Sequence, residues 1–99
     1  MKKLTVKEVA TYWNTVDRNV AEEVYAKLVA LRMGYEVHKD TNFDPEFFKQ
    51  CYHIALQSVK DYKLTKVQLC GATIHQSKEL EKIGFTRQLL LNLAGLDIE

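Results

Sequence analysis

The sequence predicts a small, mostly α-helical single domain over residues 1–99, with four to six helices. Three observations point there. Val20, Val24, Leu28 and Leu31 recur at steps of four, four and three. Asp44-Pro45-Glu46 is a helix-start signal, and Phe48, Tyr52, Ala55, Val59 and Tyr62 follow it at helical spacing. The leucine-rich tail is bracketed by a capping residue, Thr86, and a stopping glycine, Gly95. A chain of 99 residues that is 46% apolar and 27% charged can bury one core, which excludes multidomain, collagen-like and disordered classes.

In chain order, Thr5 and Glu8 form a capping-box pattern that opens a short helix with Val6, Val9, Ala10 and Trp13 on one side. Asn14, Thr15 and Asp17 offer a break and a new N-cap. The Val20–Leu31 face follows, widened by Ala21 and Tyr25, and Gly34 is expected to supply the left-handed cap that ends the helix. Tyr35 to Phe43 reads as a connection that allows a short strand at 35–38. In the next helix Phe47, Cys51 and Ile54 lie beside the main stripe and give a broad buried arc.

After Leu64 two readings compete. KVQLC alternates like a strand, yet Thr65 is equally placed to cap a short helix; Ser77 then caps a turn or two holding Leu80 and Ile83, closed by Gly84. In the last helix Leu89, Leu90 and Leu93 face inward. The alternative is an α+β fold with strands near 35–38, 66–70 and 87–93.

The most suggestive motif is LEKIGFTRQLLLNL, Leu80 to Leu93. A helix-turn-helix needs apolar residues where the helices cross, a glycine able to take positive φ, and a polar cap on the second helix. Leu80 and Ile83, Gly84, and Thr86 meet those needs, with Phe85 in the apolar slot and a short helix near Thr65–Ile74 completing a three-helix unit. On that reading Arg87, Gln88, Leu91 and Asn92 point outward, where Arg and Gln can pair with base edges. Lys66, Lys78 and Lys82 would meet the phosphates of double-stranded DNA, beside the cap residue Thr86. Against this, 14 basic and 13 acidic residues leave no strong field to attract a polyanion.

The other reading is a protein-interaction adaptor or inhibitor that docks on a larger assembly. Tyr12 and Trp13 are neighbours that a regular helix cannot turn toward one core, and Glu22 and Glu23 read as a solvated acidic face. Tyr35, Phe43, Phe47 and Phe48 surround a helix connection, and core packing is expected to take most of them. Amphipathic helices of this kind often complete their burial in a homodimer or on a partner, with aromatics as anchors.

Leu69–Phe85, LCGATIH followed by KELEKIGF, resembles the last strand–helix–GF segment of acetyl-CoA-dependent N-acetyltransferases. That resemblance implies a strand over the first part and a general-acid tyrosine where this chain has Leu80 or Glu81. No glycine-rich pyrophosphate loop precedes a helix, and the chain is short for that fold, so the resemblance is set aside.

Site chemistry is otherwise sparse, and neither enzyme nor cofactor is expected. Cys51 and His53 diverge on one helix, Cys70 and His75 are too few ligands for zinc, and His38 belongs to no cluster. No nucleophile has a base at a spacing local structure would join. Cys51 and Cys70 read as buried, reduced thiols, which points to the cytoplasm. Lys7 and Glu8 interrupt the start, so it is not read as a secretory signal, and no stretch approaches the ~20 apolar residues of a membrane span.

Overall fold

Three helices, α1 (Arg18–His38), α2 (Pro45–Tyr62) and α3 (Lys66–Lys82), make up most of the structure, a computed structural model that describes residues 17–85. The mostly helical class is as expected, and no strand occurs among the described residues. The stretches at 35–38 and 66–70, read as strands in the alternative fold, lie inside α1 and α3. Helix count and strand content at residues 1–16 and 86–99 lie outside the described residues.

Asp17 caps α1 as its sequence position suggested, its carboxylate accepting from the Asn19 N–H at 2.8 Å. Gly34 does not end the helix. It continues for another turn to His38, and Lys39 takes the left-handed cap at φ 55° and ψ 30°, its N–H bonded to the Tyr35 carbonyl at 2.6 Å. Gly34 has a different cause: a Cβ there would overlap the Phe43 ring, which lies flat against the helix backbone. α2 begins as its start signal requires, with Asp44 accepting from Glu46 N–H at 3.0 Å and Pro45 in the first turn.

Thr65 opens α3 with a full capping box. The Gln68 N–H donates to Thr65 Oγ1 at 3.2 Å, and the Thr65 N–H donates to Gln68 Oε1 at 2.9 Å. The helix then runs unbroken, so the expected short helix near Thr65–Ile74 and a separate one capped by Ser77 are corrected to a single element. The reason is packing: Leu69, Thr73 and Leu80 recur on one side of a continuous helix and are all buried. The strand implied by the acetyltransferase resemblance is likewise helical.

α2 and α3 both pack on α1, which is therefore the central helix. Its small residues Ala21, Ala26 and Ala30 are fully buried and let its neighbours come close. One cluster joins Ala21, Val24, Ala26, Ala55, Val59, Leu69 and Cys70; the other joins Leu28, Leu31, Leu80 and Phe85. Three residues expected on inner stripes face out instead: Val20, at the first turn of α1; Ile54, on the back of α2; and Tyr62, at its last residue.

Glu22 is the sharpest departure. It is 5% exposed, not solvated, with Lys60 of α2 at 3.7 Å and Arg18 at 3.9 Å from its carboxylate oxygens. Lys60 comes from a separate helix, so only the crossing of α2 over α1 buries this acid. Glu23 is exposed as expected.

Thr73 is buried in α3, and its hydroxyl has no hydrogen-bond partner among the described residues. A polar group left dry and unpaired costs free energy, and valine has the same shape without the hydroxyl. Thr73→Val is expected to stabilise the fold by about 1 kcal/mol, seen as a higher urea midpoint at unchanged slope.

Candidate docking face

The connection between α1 and α2 gathers six rings into one continuous belt. His38 stacks on Phe43 at a centroid distance of 6.0 Å and meets Phe47 edge-on at 4.7 Å. Phe43 contacts Phe47 at 6.4 Å and Phe48 at 6.5 Å; Phe48 leads to Tyr52 at 6.4 Å, and Tyr52 to His53 at 5.7 Å. These spacings and tilts suit the ring quadrupole, which favours offset and edge contacts.

The belt arises from local sequence rules. Phe43 precedes the Asp44 cap and lies where Gly34 leaves room for a ring, while Phe48 and Tyr52, four apart, share one side of α2. Phe43 and Phe48 rest their inner edges on the Leu28–Leu31–Leu80–Phe85 cluster. No ring of the belt is fully buried: the three phenylalanines and Tyr52 are half-buried, and the two histidines are exposed. Burial pushes the Tyr52 phenol up, and the Glu23 charge adds to the rise. As expected, core packing takes most of the aromatics around the connection, since Tyr35, Phe43 and Phe48 lie partly buried on the Leu28–Leu31–Leu80–Phe85 cluster; Phe47 belongs to neither cluster.

Of the residues assigned to DNA, only Lys66, Lys78 and Lys82 lie among the described residues. Lys66 is half-buried at the first turn of α3. It lies about 120° around that helix from Lys78 and about 18 Å along it. Lys78 and Lys82 are exposed, one turn apart, and Lys82 Nζ pairs with Glu79 at 3.3 Å. The hydrogen bond from Lys82 and its charge hold the Glu79 carboxyl below its ordinary value, with His75 and Arg32 adding smaller pulls. Beyond α3, Gly84 takes φ 110° and Phe85 turns into the core. Thr86, Arg87, Gln88, Leu91 and Asn92 lie outside the described residues, as do Tyr12 and Trp13.

Other chemistry is thin. No group of three or more His, Cys, Asp or Glu side chains among the described residues is placed to hold a metal ion. No described helix is long and apolar enough to cross a membrane. Cys51 and Cys70 are free and buried, and burial pushes both thiols above their ordinary value of 9.0. A raised thiol favours the folded state while it stays protonated. That contribution is whole below pH 9 and is lost as pH climbs through the raised values. Denaturation midpoints are therefore expected to fall from pH 9 upward, and to fall less in a Cys51→Ala/Cys70→Ala variant.

No family model matches the chain, and neither a curated protein nor a solved structure does.

Proposed function

We propose that the chain is a non-enzymatic protein-interaction module, an adaptor or inhibitor that docks on a larger protein through the aromatic belt at the α1–α2 connection. One observation carries this reading: six rings, each in contact with the next, stand half-buried or exposed, with Phe43 and Phe48 braced from behind by the core. Rings held in place by their neighbours lose little freedom on binding and bring large contact areas, the properties of interface anchors. A cytoplasmic setting fits the two unpaired thiols.

Phe47 is the residue to test, since it lies on the outer side of the belt and belongs to neither core cluster. Phe47→Ala is expected to weaken partner binding about thirtyfold or more, as loss of a central anchor does, while the circular-dichroism melt stays near wild type. Affinity capture with each protein, followed by titration of the captured partner, measures this. Equal binding by both proteins removes the belt from the interface.

Gly84 favours a second reading, a DNA-associated accessory or regulatory protein. Its positive φ and the inward Phe85 fit a helix-turn-helix pivot beside Lys78 and Lys82. Arg87 and Gln88 would then read bases. Duplex binding that weakens steeply with salt, and loses sequence preference in Arg87→Ala, supports it. Absence of a mobility shift at low salt dismisses it.

A further inference from the structure

We draw no further inference here: the strongest candidate, the open apolar groove along α1 beside Val37, has Val29 and Met33 already packed on the core shared with α2 and α3, and nothing in the structure shows what covers the rest of it.

Discussion

Leu80→Ala is expected to destabilise the protein by about 2–5 kcal/mol, a large share of the ~5–15 kcal/mol available to a domain of this size. Leu80 is fully buried where the end of α3, the Gly84 turn and α1 meet, packed with Leu28, Leu31 and Phe85. Its carbonyl also accepts from the Phe85 N–H at 3.1 Å, so the side chain fills the corner that its own backbone closes. Truncation removes apolar contacts and leaves a cavity that the turn can only partly fill. The midpoint of thermal unfolding should drop by about 10 °C or more, at roughly 4–8 °C per kcal/mol. Val67→Ala, on a side chain 78% exposed on the same helix, serves as the control and should stay within about 0.5 kcal/mol of wild type. A Leu80→Ala variant as stable as that control would mean that the corner is not packed, and the pivot on which the DNA reading depends would fall with it.

α2 was legible at its start and along the middle of its stripe, because both are local: Asp44, Pro45 and Glu46 satisfy the helix end themselves, and Cys51, Ala55 and Val59 are buried as their spacing implies, whereas Ile54 and Tyr62, expected inside, face out. α1 was legible at its start and misread at its end. A glycine serves equally as a left-handed cap and as a place where a ring meets backbone, and only the return of Phe43 decides between them. Ser77 misled for a related reason, since a serine can cap a helix or lie within one, and the burial of Leu69, Thr73 and Leu80 along one line chose the second. The candidate site was less legible still. Phe43, Phe47 and Phe48 were visible as a group around the connection, but which edges face water follows from the crossing of α1 and α2. The same crossing buries Glu22 against Lys60.

The second large effect is expected at Gly34, where two opposing contributions can be separated. In a helix interior, glycine to alanine normally stabilises by about 1 kcal/mol. At Gly34 the new methyl group would enter the space held by the Phe43 ring, and overpacking of this kind costs about 1–3 kcal/mol. The ring can escape only by swinging away from the helix, which breaks its stacking on His38 and Phe48 and its edge contact with Phe47. Gly34→Ala should therefore destabilise by about 1–2 kcal/mol and weaken the near-ultraviolet circular dichroism of the belt. Gly71 in α3 isolates the favourable part, because nothing lies within 4 Å of the Cβ it would gain; Gly71→Ala should stabilise by about 0.5–1 kcal/mol. The sign at Gly34 should then depend on the ring itself. In a Phe43→Ala background the overlap is gone, and adding Gly34→Ala should turn from harmful to helpful, a coupling of about 2 kcal/mol in a double-mutant cycle. If Gly34→Ala instead stabilises the wild-type chain as Gly71→Ala does, Phe43 does not rest on α1, and the belt lacks the support that makes it a rigid docking face.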